Sequence, residues 1–107
     1  MSAGQQPISS QDLIASRELT IEGQSEKVIV QLGRPYYVSD REAVCPYRFL
    51  YGDVVGGNDA HGVDPFQALE LAMKILPTYL RTESYLPLGK MYLWESGDDM
   101  GFPEVYK

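Results

Sequence analysis

The sequence predicts an α+β protein, in which one main amphipathic helix packs on one face of an antiparallel sheet of three to four strands. Three observations carry this prediction: two alternating runs joined by turn residues, a third alternating run, and one helical run with its own start signals. Hairpin-linked strands followed by a single amphipathic helix favour two packed layers. The 107 residues suffice for one domain, and we expect a flexible tail at 1–10 before a single α+β domain at 11–107.

The first two strands are predicted by alternation of apolar and polar residues. The first run extends from Ala15 to Ile21, residues 22–26 supply turn residues, and the second run extends from Lys27 to Leu32. These runs predict a hairpin with a five-residue connection. The following Gly-Arg-Pro at 33–35 ends the second strand, because proline cannot donate to a ladder.

The middle of the chain contains a third strand between two less regular stretches. Residues 44–51 alternate, so we predict a strand there, with a defect near its start at Pro46. Residues 36–42 are either a loop or a strand extension, and the sequence leaves both open. Residues 52–62 hold four glycines, which predicts a loop with at most a short strand at Val54-Val55.

One helix has clear start signals. Asp64 is a typical cap residue, Pro65 suits the first helical position, and Gln67 stands where a capping box returns a hydrogen bond to the Asp64 N–H. Pro77 cannot donate within a helix, so we expect the helix to stop or bend before it. Apolar residues at three- and four-residue steps predict a buried stripe, widened by three neighbours: Phe66, Leu69, Met73, Leu76 and Leu80, with Ala68, Ala72 and Ile75.

Composition argues against several function classes. The net charge is −6 and the nine Lys and Arg residues are scattered, which disfavours nucleic-acid binding. No apolar run approaches the roughly 20 residues of a membrane span, and the N-terminus lacks the basic and apolar segments of a secretory leader. The single cysteine excludes an internal disulfide framework and suits a reducing compartment. We therefore expect a cytoplasmic protein.

Candidate chemical sites are few. Cys45 and His61 are the one possible cysteine–histidine pair, but Cys45 alternates in phase with aromatic residues and is predicted to be a core residue. One Cys and one His are too few for a zinc site, and we expect neither metal nor cofactor. Phosphate binding is disfavoured because the Asp64 carboxylate stands at the helix N-terminus. An acid–base site would require Asp53, Asp59 and His61 to converge.

Aromatic residues are the remaining feature, with eight tyrosines and one tryptophan. Tyr36 and Tyr37 stand in the undecided stretch, and Tyr92 and Trp94 share one side of a last strand predicted at 91–95. Since one helix covers only one face of a sheet, two interpretations are open. The aromatic side chains form an exposed protein-binding surface, or they form cross-strand pairs that stabilise the sheet. A homodimer satisfies both.

Five motifs follow one another along the chain: Arg17-Glu18-Leu19-Thr20-Ile21, the 28–35 run ending in Gly33-Arg34-Pro35, Cys45-Pro46-Tyr47, the 62–76 helix run, and Trp94 with Gly101-Phe102-Pro103. In this order they resemble a family of short bacterial proteins known only as a domain of unknown function. The resemblance covers residues 14–103. It implies a bacterial cytoplasmic setting, and it supplies no activity, cofactor or catalytic residue.

The sequence therefore predicts a small non-enzymatic protein that binds another protein or itself. The first alternative is an immunity-like or antitoxin-like inhibitor of a basic partner protein, suggested by the small size, the acidity and the aromatic residues. The second alternative is a small enzyme with the acid–base site described above. The sequence names neither the partner nor the oligomeric state.

Overall fold

The computed structural model of the chain describes residues 5–82 and 91–92. Five strands form one antiparallel sheet, and a sixth strand of two residues pairs with the first. One helix packs against the sheet. In chain order the elements are β1 (Leu13–Ile21), β2 (Val28–Gly33), β3 (Tyr36–Ser39), β4 (Glu42–Tyr51), β5 (Val54–Gly62), α1 (Pro65–Thr82) and β6 (Met91–Tyr92).

Strand β4 is the centre of the sheet. Strand β5 pairs with β4 from Ala43 to Tyr51. On the opposite edge of β4, β3 pairs with the first part of the strand and β2 with the last part. Strand β1 lies outside β2, and β6 pairs with the last two residues of β1. The predicted α+β class and antiparallel sheet are confirmed. The prediction of three to four strands is too low, because residues 36–39 and 54–62 also form strands.

Strand β5 occupies most of a segment that the sequence predicts to be a loop. A two-residue turn joins it to β4, and Gly52 has a φ of 59° there, as glycine does in tight hairpin turns. Gly57 has a φ of 115°, and a Cβ at this position would lie 2.2 Å from the carbonyl oxygen of Tyr47. The glycines thus let β5 approach β4 closely. The loop prediction is wrong here, because glycine, which usually weakens a strand, is the residue that fits the turn and the close contact with β4.

The hydrophobic core lies between one face of the sheet and α1. Strand alternation predicts its sheet side correctly, since Leu19, Val28, Val30 and Phe49 are all buried there. The core cluster joins residues from β1, β2, β4, β5 and α1: Leu19, Ile21, Val28, Val30, Ala43, Cys45, Tyr47, Phe49, Ala60, Ala68, Ala72, Leu76 and Leu80.

Helix α1 begins where the sequence predicts. Pro65 is its first residue, and the backbone N–H of Gln67 donates to Oδ1 of Asp64 at 2.8 Å. The Gln67 side chain accepts a hydrogen bond from the backbone N–H of Val63 at 2.8 Å, one residue before the predicted donor. The cap is therefore confirmed, with one of its two hydrogen bonds displaced by a residue.

The buried side of α1 is rotated away from the predicted stripe. Its four most buried apolar residues follow one another at four-residue steps: Ala68, Ala72, Leu76 and Leu80. Phe66 is 81% exposed, so its placement in the stripe is wrong. Leu69 is half-buried and packs against the core cluster, and Met73 is half-buried, so both lie at the margin of the buried side. The helix start lies very close to the end of β5, since a Cβ on Gly62 would lie 2.6 Å from the Ala68 nitrogen. Small alanine side chains fit such a close approach, and Ala68 and Ala72 face the sheet.

The sequence leaves open whether the helix stops or bends at Pro77, and in the structure α1 continues through Pro77 to Thr82. A proline inside a helix costs roughly 3 kcal/mol, because it removes one hydrogen bond and crowds the preceding turn. Leu76 and Leu80 are fully buried on either side of it. Burying a leucine side chain contributes about 1.5–3 kcal/mol. The burial of these two leucines offsets the cost of Pro77.

The second face of the sheet, opposite α1, carries residues 5–12. The backbone N–H of Ile8 donates to Oε1 of Gln31 at 2.9 Å, and Nε of Arg48 donates to the carbonyl of Gln6 at 3.1 Å. Gln31 and Arg48 are cross-strand partners in β2 and β4, so they point to the same face. The sequence predicts a flexible tail for residues 1–10. These hydrogen bonds place the described part of that tail against the sheet.

Candidate functional site

Strand β3 presents two of the predicted binding residues. Tyr36 and Tyr37 are 50% and 56% exposed, and Val38 beside them is 50% exposed. Tyr36 pairs with Val44 of β4, and Tyr37 pairs with Ala43. Strand β1 pairs with β2 and does not extend along β3, so the outer edge of β3 has no paired strand within residues 5–82 and 91–92. This short edge combines unpaired backbone groups with large apolar side chains.

The start of α1 lies at the same end of the molecule. Ala43 pairs with Tyr37 on one side and with Gly62 on the other, which sets these three residues in one row across the sheet. Val63 and Phe66 follow directly, and they are 61% and 81% exposed. We call Tyr36, Tyr37, Val38, Val63 and Phe66 together the open end.

The open end gathers most of the exposed large apolar side chains. In the described part of the chain seven such residues are exposed, and five of them belong to the open end. Of the other two, Tyr79 stacks on the core residue Tyr47 with 6.0 Å between ring centroids, so its ring packs against the core although part of it is exposed. Such clusters on a monomer's surface mark interaction sites more often than chance scatter does.

Charged residues surround the open end. Nδ1 of His61 lies 2.7 Å from Oε2 of Glu42, and both side chains are about half exposed. Arg34 precedes β3; its guanidinium lies 3.8 Å from Oδ1 of Asp12 and also donates to the carbonyl of Gln11. Asp40, in the turn after β3, forms no ion pair with any residue in the described ranges. The residues around the open end therefore include both positively and negatively charged side chains.

The three acid–base candidates do not converge. His61 is bound to Glu42, and Asp59 lies 3.3 Å from Nη1 of Arg48. Asp53 lies in the turn at the other end of β5, eight strand residues from His61. Eight residues of extended strand span roughly 26 Å. No single pocket therefore contains all three side chains.

Cys45 and His61 do not form a catalytic pair. Cys45 faces the core, whereas His61 pairs with Val44 and points to the second face. Burial, and secondarily the charge of Asp59, raises the pKa of the Cys45 thiol to about 11. Its Sγ lies 3.4 Å from the Gly33 carbonyl, as a weak donor. A neutral, buried thiol is a core residue and not a nucleophile.

A groove of about 730 Å³ lies between the N-terminal segment and the second face. Its charged side chains are already paired, Arg34 with Asp12 and Arg48 with Asp59. Arg48 also donates to the carbonyls of Tyr47 and Asn58, both at 2.8 Å. These bonds fix the groove walls to one another, and they leave no converging set of charges for a ligand.

No cluster of three or more metal-ligating side chains occurs among residues 5–82 and 91–92. Within the same ranges, no helix has the length and apolar character that crossing a membrane requires.

The other two aromatic candidates fall outside what the structure describes. The backbone of Tyr92 pairs with Thr20 through β6, but its side chain and the whole of Trp94 lie outside the described residues. Val38, Val63 and Phe66 were in turn missed by sequence reasoning. A signal for Phe66 existed: the four-residue steps from Ala68 to Leu80 define a stripe of their own, and Phe66 lies on the opposite side of the helix from Ala68.

Comparison with known proteins places the chain in a family. Searches of curated proteins and of solved structures gave no match. A family model described as Domain of unknown function (DUF6968) matches residues 15–104, nearly the range over which the five sequence motifs resemble an uncharacterised family. The match covers most of the chain, and this protein therefore belongs to the family described as Domain of unknown function (DUF6968).

Proposed function

We propose that this protein is a non-enzymatic protein-binding module whose binding surface is the open end. One observation carries the proposal: five of the seven exposed large apolar side chains in the described part of the chain lie there. Tyr and Phe side chains supply large contact areas with few rotatable bonds, and a few such anchors provide most of the energy of an interface.

The edge of β3 adds a second means of binding. An unpaired strand edge offers backbone N–H and C=O groups in a row, and an extended segment of a partner can complete the sheet there. Specific interfaces bury about 800 Å² on each partner. A strand four residues long supplies only a small part of that area, so the apolar side chains around it are needed for stable binding.

The acid–base alternative receives less support from the geometry. Asp59 and His61 each have a charged neighbour within 3.3 Å, and Asp53 belongs to the opposite end of β5. A general base must reach a bound substrate within hydrogen-bond distance, and the three groups share no cavity for one. Surface recognition therefore accounts for more of the described features than catalysis does.

A basic partner protein is the second candidate, in the manner of an immunity protein or antitoxin. The net charge of −6 favours attraction to a basic surface, and Asp40, Glu42 and Asp64 border the open end. Such an association would weaken steeply as salt is added, whereas an apolar contact would not. We place either activity in the bacterial cytoplasm, where a single buried cysteine remains reduced.

Site-specific photo-crosslinking tests the proposal. A photoreactive amino acid replaces Tyr37 or Phe66 in the protein expressed in its native cells, and a control replaces Asp53 at the opposite end of the sheet. We expect covalent protein adducts from positions 37 and 66, and few from position 53. Equal labelling at all three positions, or no adduct from the open end, would overturn the proposal.

A further inference from the structure

We propose that residues 5–8 form a strap that opens from the second face of the sheet, and that the site beneath it binds an extended segment of the partner protein in which proline precedes isoleucine or valine. This inference rests on the proposed function and names the kind of segment that the partner offers. The strap occupies the same site within the chain, so its contacts show which chemistry the site recognises.

Two side chains of the sheet hold the backbone of the strap. Nε of Arg48 donates to the carbonyl of Gln6 at 3.1 Å, and the backbone N–H of Ile8 donates to Oε1 of Gln31 at 2.9 Å. In an extended chain the C=O of one residue and the N–H of the second residue after it point to the same side. Pro7 between them has no N–H to satisfy, and it keeps Gln6 extended. The two side chains therefore fit the backbone of an extended segment with a central proline.

The Ile8 side chain lies in an apolar notch between two residues of the sheet. A Cβ on Gly33 would lie 3.2 Å from Cδ1 of Ile8 and 2.7 Å from Cγ of Pro46, so the notch exists because residue 33 has no side chain. Ile8 is half-buried there, while residues 6, 7 and 9 are exposed. The site therefore selects one apolar side chain, directly after the proline, and leaves the flanking side chains in solvent.

The sheet, and not the strap, fixes the donor of the site. Nη1 of Arg48 donates to the carbonyls of Tyr47 and Asn58, both at 2.8 Å, and it lies 3.3 Å from Oδ1 of Asp59. These partners belong to β4 and β5, so the guanidinium keeps its orientation when the strap leaves. A donor that is already oriented loses little freedom when a segment binds, which favours affinity.

The strap can open while the rest of the molecule stays folded. The core cluster contains no residue of segment 5–12, and the turn at 9–12 has its own backbone hydrogen bonds to Leu13 and Arg34. Closing the strap orders four residues and gains two hydrogen bonds and one half-buried side chain. The entropy lost and the interactions gained are of similar size, so the open and closed states are both populated.

The site adjoins the open end. Tyr36, which belongs to the open end, lines the same groove as Ile8, Pro46 and Arg48. A partner that covers Tyr36 therefore lies beside the strap, and an extended segment of that partner can take the place of the strap. The charged residues of the groove are two arginines and two aspartates, which suits a segment without net charge.

A peptide titration tests the strap and its site. The probe is a synthetic peptide with the sequence of residues 3–10, blocked at both ends, and the backbone amide NMR signals of the isotope-labelled full chain report where it binds. Ile8→Ser loosens the strap, and Ile14→Ser is the matched control, since Ile14 is 49% exposed on β1. We expect the Gln31 and Gly33 signals to shift. Half-saturation should need about threefold less peptide, or less still, in Ile8→Ser than in the wild type or Ile14→Ser, because the closed strap competes with the peptide.

Substitutions at Gln31 and in the peptide test which contacts the site uses. Gln31→Leu, made together with Ile8→Ser, removes the acceptor and should weaken peptide binding about threefold or more. Gln31→Glu in the same background keeps an acceptor oxygen and should bind as Gln31 does. A peptide with serine in place of its isoleucine should cause no shift, because the notch then stays empty.

The inference has several ways to fail. No shift in Ile8→Ser at millimolar peptide, the effective concentration of a segment on a short linker, would overturn the site. Equal half-saturation in Ile8→Ser and the wild type, or binding that is insensitive to Gln31→Leu, would do the same.

Photo-crosslinking in native cells tests whether the partner uses this site. Protein adducts from position 37 should increase in Ile8→Ser and stay unchanged in Ile14→Ser, and an equal yield in both variants would overturn the role assigned to the partner. Adducts from positions 37 and 66 without any peptide binding would overturn the strap and support the proposed function, so the two failures are distinguishable.

Discussion

The two ends of α1 differ in how their apolar side chains are covered. Toward the C-terminal end, Leu76 and Leu80 are fully buried against the sheet, even though Pro77 lies between them. At the N-terminal end, Phe66 faces solvent near the exposed residues of β3, as does Val63 just before the helix. The same kind of residue therefore serves the core at one end and a surface at the other. An apolar side chain on a helix indicates a contact, and its position around the helix decides which contact.

Replacing Leu76 with alanine should have the largest effect on stability. Leu76 is 1% exposed and belongs to the core cluster, so its truncation should cost about 2–5 kcal/mol of unfolding free energy. Urea denaturation followed by circular dichroism measures the loss. Leu69→Ala is the matched control, since Leu69 is only half-buried and should cost clearly less. Equal losses at the two positions would mean that α1 is not rotated as described.

Gly62→Ala should have the next largest effect, because the two layers meet there. The new Cβ would lie 2.6 Å from the Ala68 nitrogen and 2.9 Å from the Gln67 carbonyl carbon, so the helix start must shift. Overpacking of this kind costs roughly 1–3 kcal/mol. The same denaturation experiment measures it, and Gly62→Ser should be no better than Gly62→Ala. An unchanged midpoint would show that the start of α1 can move away freely.

Asp64→Ala should cost about 1 kcal/mol, the usual effect of losing a helix cap. The lost contact is the 2.8 Å hydrogen bond from the Gln67 N–H to the carboxylate. Asp64→Asn should stay close to the wild type, because an asparagine side chain can accept the same bond. If both variants lose equal stability, the charge of Asp64 matters and the cap bond does not.

Phe66→Ala should have the smallest effect on stability, within about 0.5 kcal/mol of the wild type, as exposed positions usually do. Its ring is 81% exposed, so truncation leaves no cavity. Partner binding at the open end should nevertheless weaken measurably in the same variant. A large loss of stability would remove the contrast between the two ends of α1, because Phe66 would then be a core residue.

Local signals predict the parts of the fold that depend on local physics. The cap at Asp64 and Pro65 follows from hydrogen bonds within one turn, and the β1–β2 hairpin follows from alternation around a short connection. The sequence does not predict the full length of β5, because the glycines in this segment suggest a loop. The strand forms because it pairs with β4, a contact that the local sequence does not show. The sequence could not decide whether the helix continues past Pro77 for the same reason, since the compensating burial of Leu76 and Leu80 involves distant strands.

The residues of the open end likewise fall into two groups, those that the sequence predicts and those that only the structure shows. Tyr36 and Tyr37 were identified by residue type, and they lie exposed on β3. The contribution of Val63 and Phe66 depends on the row from Tyr37 through Ala43 to Gly62, which exists only once the strands are paired. Sequence reasoning thus found the residues whose type is unusual, and it missed those whose importance comes from their neighbours.

Strand β6 gives the folding reaction a late step. It pairs residues 91 and 92 with residues 21 and 20, so it closes a loop of 70 residues, whereas the Leu19–Val28 pair of the first hairpin closes a loop of nine. Loop closure entropy makes the longer contact about 2 kcal/mol more costly. The β1–β2 and β4–β5 hairpins can form first, and the β6 ladder joins the chain's two ends only after them. The backbone amides of this ladder should therefore exchange with solvent sooner than those at the centre of β4.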